Sequence, residues 1–239
     1  TVSVLYWREA PPSARMPTSL PVDPALRRIV ESSSEPLLRS QGEGEEFERV
    51  APSALFPTAE EAAKMKDFAM TTPDEPGTPA HYDKEKMIGV YFTASWCPPC
   101  QRFTPQLKRA FNTIRNDQGK DFEVLVASWD REEKAFEHYV EKMPGFTALP
   151  FKDPRIDELS KAYKVNSIPQ LVLVRARDSK LINRDAKDYL PYDAACRTYP
   201  WPPLKSGWFV YTLTGGLGAA MLGLGAIVLR DRGWIRARV

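Results

Sequence analysis

Between Met87 and Ala94 the chain runs almost unbroken through apolar residues, MIGVYFTA, and passes straight into SWCPPC at Ser95–Cys100. A run of this length, bounded by turn formers, describes a strand buried on both faces. Such a strand needs helices against both sides of its sheet, which commits the chain to an α/β plan. The next segments agree. A helix is expected from Pro98 to about Asn116, ended by Gly119. FEVLVASW (Phe122–Trp129) reads as a second buried strand, and Asp130 as the N-cap of a helix with Glu133 as its reciprocal capping residue. In that helix Phe136, Tyr139, Val140 and Met143 recur at helical spacing, while Glu132–Lys134, Glu137 and Glu141 form a solvated face. DPRIDELSKAYKV predicts another helix, and Leu171–Ala176 with Lys180–Asn183 a hairpin-like pair. Upstream, Gly44–Val50 reads as a strand, Ala59–Met70 as a helix and Thr71–Asp83 as a loop.

The two cysteines carry the chemistry. A dithiol catalyst needs one accessible cysteine of low pKa and a second that can attack a mixed disulfide. At the mouth of a helix, free N–H groups and the helix dipole stabilise a thiolate, so Cys97 is the expected nucleophile. Cys100 lies one turn on and is the expected resolving thiol. Pro98 and Pro99 stiffen the turn where the helix has no N–H acceptors to lose. A C-x-x-C also serves as half of a zinc site, but Cys196, His81 and His138 are scattered and do not supply the other half. No metal or cofactor is expected. Ser167-Ile168-Pro169 immediately precedes the LVLV strand, where a cis proline would lay backbone beside the dithiol. Simple strand punctuation is the other reading of Pro169.

With 239 residues, 43% of them hydrophobic and 11% aromatic, the chain can bury a core and add appendages. A net charge of +2 gives no nucleic-acid footprint. Three cysteines are too few for a secreted disulfide scaffold and suit one cycling pair, with Cys196 a buried or half-buried bystander. The chain opens on Thr1, as it would after removal of an organellar presequence or after trimming. Residues 1–36 are proline-rich and expected to be extended, with at most a short helix near Ala25–Val30.

The other end differs in kind. Gly207–Leu229 is a 23-residue run without charge, long enough to span a hydrocarbon core of about 30 Å. Trp208, Phe209, Tyr211 and Trp234 sit where interface anchors belong, and RDRGWIRAR follows as a basic flank. Gly215, Ala219 and Gly223 make a small-residue face for a neighbouring transmembrane helix. A buried core helix is the alternative. The expected organisation is an extension (1–36), a globular domain (37–203) with an insertion around 56–86, a transmembrane helix (204–230) and a basic tail (231–239).

Taken together, VYFTASWCPPC-x-x-FTP (Val90–Pro105), FEVLVASWD (Phe122–Asp130), KMPGFTALPF (Lys142–Phe151), NSIPQLVLV (Asn166–Val174) and YPWPP (Tyr199–Pro203) resemble the tryparedoxin/nucleoredoxin branch of the thioredoxin superfamily. The resemblance implies a thioredoxin-like mixed sheet flanked by helices. It gives Cys97, Cys100, Trp96 and Pro169 the site roles, places Trp129 and Asp130 close to the dithiol, and matches Pro105 to the proline that kinks the active-site helix. Thioredoxins proper have a buried Asp six residues before the first cysteine; Tyr91 stands there, as in the tryparedoxin-like branch. The chain departs from that pattern at Gln101, where the branch usually has Arg, at Gln170, where it usually has Thr, and in a KMPGFTALPF one residue longer than common.

Two functions are expected. One is a membrane-anchored thiol–disulfide oxidoreductase acting on protein disulfides or peroxiredoxin-like proteins, drawing on a small dithiol such as trypanothione. The other is a purely structural subunit of a membrane complex. The expectation that joins them is a redox-competent accessory subunit of a mitochondrial, respiratory assembly. The positive-inside tendency puts its domain in the intermembrane space and its tail in the matrix. An outer-membrane tail anchor is the alternative address.

Overall fold

The apolar run becomes strand β3 (Met87–Thr93), every residue of it buried. In this computed structural model residues 25–58, 60–62 and 85–201 are described, and all belong to one compact unit. Beside β3 lies β4 (Phe122–Ser128), parallel and in register from Met87 opposite Phe122 to Thr93 opposite Ser128. On the other side β6 (Gln170–Arg175) runs antiparallel, and β7 (Leu181–Asn183) extends it as a hairpin. The short β5 (Thr147–Ala148) pairs parallel to β4. It carries the antiparallel pair β1 (Leu37–Arg39) and β2 (Glu48–Val50) to the far edge. The order is β2-β1-β5-β4-β3-β6-β7, a mixed sheet, as expected for a thioredoxin-like α/β fold.

Alternation along the strands sorts two cores. Met87, Tyr91, Val124, Val126, Leu171 and Leu173 face α2 (Pro98–Asn112) and α3 (Glu133–Glu141). Ile88, Val90, Phe92, Leu125, Ala127, Val172 and Val174 face α1 (Ala25–Val30) and α4 (Pro154–Ala162). A period of two does this, because successive side chains leave opposite faces of a strand. Gly89 fits a close approach: a Cβ there would lie 3.1 Å from Leu171 and from the Phe122 ring.

Several local expectations change. Glu48–Val50 is the strand expected from Gly44, shortened because Gly44 takes φ +79° in the turn that joins β1 to β2. Helix α2 ends at Asn112 and continues as one wider turn, Thr113–Asp117, before Gly119 at φ +63° reverses the chain. Asp130 does not cap α3. The N-cap is Glu132, without a side-chain hydrogen bond, because the Asp130 carboxylate is engaged elsewhere, as described below. Of the expected helix over Ala59–Met70 only the first turn is described, and it opens on a capping box: Glu61 accepts from Thr58 N–H at 2.8 Å, and Thr58 Oγ1 from Glu61 N–H at 3.3 Å. The rest of that helix, the loop Thr71–Asp83 and residues 1–24 lie outside the described residues. So does the expected membrane segment 204–230. Among the described residues no helix is long and apolar enough to cross a membrane.

The short helix α1 is packed into the sheet: Ala25, Leu26, Ile29 and Val30 are all buried. Its clamp is Arg155, whose guanidinium donates to the carbonyls of Val30 (3.0 Å) and Glu35 (3.2 Å) and pairs with Asp153. Asp153 in turn caps α4 by accepting from Arg155 N–H at 2.8 Å. On the opposite face of the sheet, Tyr199 and Trp201 are core residues, stacked edge-on 5.2 Å apart, and Tyr199 lies 5.5 Å from Phe122. Asp193 holds their turn, accepting from the N–H groups of Arg197 and Thr198 and from Trp201 Nε1. Cys196 is fully buried there, and burial pushes its thiol up to about 11. Native reduced protein is therefore expected to leave Cys196 unlabelled by iodoacetamide at pH 8, while denatured protein labels it; peptide mass spectrometry reads the difference.

Candidate active site

The carboxyl end of β3 delivers its residues to a loop, Ala94–Trp96, and then to α2. Cys97 is the N-cap of α2, and its sulfur accepts from Cys100 N–H at 3.3 Å. A helix begins here because Pro98 supplies a preset φ at its first position and Cys97 supplies the cap. The two cysteines are joined as a disulfide, Cα to Cα 5.2 Å, inside a small apolar cluster with Ala94, Trp129 and Ile168. Cys97 is 4% exposed and Cys100 not at all. Of the two, only Cys97 keeps any exposed surface, and it stands at the N-terminus of α2.

The expected neighbours converge on this pair. Trp96 is half exposed; its Nε1 donates to the Trp129 carbonyl at 3.2 Å, and the Arg131 guanidinium stacks 5.2 Å from the ring centre. The Ile168–Pro169 bond is cis, and the Ile168 carbonyl oxygen lies 3.9 Å from Cys97 Sγ. The two positions that depart from the family pattern are both tied down. Gln101 Nε2 donates to Ser95 O at 2.5 Å. Gln170 Nε2 donates to Arg184 O at 2.6 Å and Asp185 Oδ1 at 2.8 Å, which fixes the proline loop to the segment after β7. Lys187 adds a second tie, Nζ to Pro169 O at 3.1 Å.

Asp130 takes part in the site rather than in a helix cap. Its Oδ1 accepts from Ser95 N–H (3.0 Å) and Ser95 Oγ (2.6 Å), and its Oδ2 from Ser128 Oγ (2.6 Å). The carboxylate therefore joins the end of β4 to the loop that presents the dithiol. Behind the dithiol lies a row of hydroxyls that the sequence reading did not assemble. Thr93 Oγ1 bonds Tyr139 Oη (2.8 Å), Tyr139 Oη bonds Thr104 Oγ1 (2.8 Å), and Thr104 Oγ1 bonds Tyr91 Oη (2.9 Å). Thr104 also donates to the Cys100 carbonyl at 2.9 Å. Burial, with Tyr139 beside it, pushes the Tyr91 phenol far above its ordinary value, so it stays neutral. The signal for this row was available: a tyrosine within a strand buried on both faces needs a polar partner. Among the described residues no group of three or more His, Cys, Asp or Glu is placed to hold a metal ion.

Residues 84–181 match the family model described as thioredoxin-like. Tryparedoxin of Trypanosoma brucei brucei is 40% identical over 119 residues, which is 49% of this chain and 80% of that protein. The chain belongs to the tryparedoxin family of thioredoxin-like proteins. Probable nucleoredoxin 1 of Arabidopsis thaliana is 41% identical over 121 residues, but these are 50% of this chain and only 20% of that protein. The match thus covers most of a tryparedoxin and about a fifth of that nucleoredoxin. A tryparedoxin II solved in complex with glutathionylspermidine superimposes with a TM-score of 0.53 at 28% identity, covering 75% of this chain and 99% of that one. The tryparedoxin fold, the Cys97–Cys100 pair and the surrounding apolar cluster together form an oxidoreductase-like domain.

Proposed function

We propose that this chain is a membrane-anchored thiol–disulfide oxidoreductase in which Cys97 attacks and Cys100 resolves. The observation that carries the chemistry is Cys97 at the N-cap of α2, with Cys100 N–H 3.3 Å from its sulfur. In the reduced state the Cys97 thiolate attacks one sulfur of a partner disulfide, forms a mixed disulfide and expels the partner's other sulfur as a thiolate. The Cys100 thiolate then attacks Cys97 Sγ, which closes the Cys97–Cys100 bond and releases the second partner thiolate. Two electrons pass to the partner, whose thiolates take up two protons. A small dithiol returns both electrons by reducing Cys97–Cys100. Trp96 and the cis Pro169 border the place where the partner disulfide docks. The partners are protein disulfides, peroxiredoxin-like proteins among them. Likeness to a tryparedoxin solved with glutathionylspermidine supports a reductant that carries glutathionyl thiols, two of which supply the two electrons.

The test is reduction of insulin by the whole chain with dithiothreitol as electron donor. Turnover well above the dithiothreitol background is expected; background alone would end the enzyme reading.

The anchor and address rest on sequence. The uncharged run Gly207–Leu229, with its basic flank, supports a single span. The domain then lies in the mitochondrial intermembrane space with the tail in the matrix, as an accessory subunit of a respiratory assembly. The small-residue face of Gly215, Ala219 and Gly223 favours a neighbouring helix, and favours the structural-subunit reading if turnover is absent. Membranes washed with alkaline carbonate should retain the chain and lose it when 207–229 are deleted. Retention of the deleted form would remove the anchor.

A further inference from the structure

Between α2 and α3 a groove of about 740 Å³ begins at Ser95 and Gln101, the residues bordering the dithiol loop, and continues past Lys108, Arg109, His138 and Lys142. Its described lining contains three cations and no acid. Lys108 Nζ donates to the Lys142 carbonyl at 2.6 Å, which holds one ammonium across the gap between the helices. His138 faces Glu141 at the edge, Nδ1 to Oε2 3.8 Å. Among the described residues no carboxylate pairs with Lys108, Arg109 or Lys142. Three like charges gathered in one cleft repel one another and raise the local concentration of anions.

We propose that this groove receives an acidic segment of the polypeptide whose disulfide is reduced at Cys97. The inference rests on the dithiol reading above and adds the class of partner: a protein with Asp or Glu residues a few positions from its reactive cysteine. The groove starts beside the dithiol, so a chain held by its disulfide over Cys97 can lay its continuation along α2. Aspartate and glutamate there meet the Lys108, Arg109 and Lys142 charges, and a basic segment is repelled.

The experiment uses the whole chain and two peptides with the same disulfide loop, one flanked by four glutamates and one by four lysines. Bis(2-hydroxyethyl) disulfide and glutathione disulfide are run in parallel. At low salt, kcat/KM is expected to be at least about tenfold higher for the acidic peptide, narrowing to about twofold near 0.5 M salt, where charges are screened within roughly 4 Å. Lys108→Glu/Lys142→Glu should invert the ratio of the two peptides, a quantity that does not depend on the amount of active protein. If that variant does not unfold cooperatively, Lys142→Glu alone, at an exposed position, should reduce the ratio by at least about threefold. Equal rates for the two peptides in wild type overturn the inference, and so does a preference that the charge reversals leave intact. A preference for glutathione disulfide over the acidic peptide assigns the groove to a small anion and also overturns it. Failure to reduce any of the four, the neutral disulfide included, is failure of the oxidoreductase reading itself.

Discussion

Cys97→Ser is expected to lower insulin reduction by on the order of a thousandfold or more, to the background set by the dithiol donor. A serine hydroxyl at the α2 N-cap keeps the cap but supplies no thiolate, and nothing nearby can replace it. Cys100 is fully buried beneath the turn and so is closed to a protein disulfide. Cys196 is buried at the far end of the domain, with its thiol held in the protonated form at neutral pH. Cys100→Ser behaves differently: the first attack survives and resolution is lost, so the protein accumulates as a mixed disulfide with its partner. Non-reducing gel electrophoresis separates these outcomes. Should Cys97→Ser keep turnover while Cys100→Ser abolishes it, the roles are reversed.

Arg155→Ala is expected to cost about 3–5 kcal/mol of stability, the scale for removing one member of a buried ion pair. Both side chains of the Asp153–Arg155 pair are 1% exposed, so loss of the guanidinium leaves a carboxylate buried without its partner. It also orphans the Val30 and Glu35 carbonyls and so frees α1 from α4. Urea unfolding followed by tryptophan fluorescence measures this as a fall in midpoint of roughly 1.5–2.5 M, for a slope of about 2 kcal/mol per molar. Removing both charges, in Asp153→Asn/Arg155→Leu, should recover part of the loss, since an uncharged pair avoids the stranded anion. A single variant within about 1 kcal/mol of wild type would show that the clamp is dispensable.

Periodicity and buried runs made the frame of the fold legible. β3, β4, β6 and β7 lie where apolar runs and alternation put them, and α2, α3 and α4 follow from helical spacing and from the prolines and acids at their starts. The misses came where tertiary contacts outbid local rules. Asp130 has every property of an N-cap, but two serines and a backbone N–H at the strand end bind it more fully than a helix terminus would. β1 and β5 are so short that nothing but their pairing marks them as strands. Tyr199 and Trp201 stand among prolines in YPWPP, where no periodicity assigns them to a core, yet they close one. In the site, the cysteines were visible because their spacing is a chemical requirement. The ties of Gln101 to Ser95 and of Gln170 to the segment after β7 depend on chain reversals that no local pattern records.

The hydroxyl row from Thr93 to Tyr91 gives the back of the dithiol a distinctive electrical character. A buried carboxylate at position 91 would be a proton store, filled or emptied each time the disulfide opens or closes. Tyr91 cannot serve in that way, because its proton is held far beyond neutral pH. Because Thr104 donates to the Cys100 carbonyl, Tyr91 and Tyr139 both donate to Thr104 and Thr93 donates to Tyr139, so each hydroxyl keeps its own proton and the row carries no charge. The reaction centre therefore has insulation behind it and its ionic traffic in front. Under the proposed dithiol chemistry, protons are then expected to enter and leave on the Cys97 side and not through Tyr91.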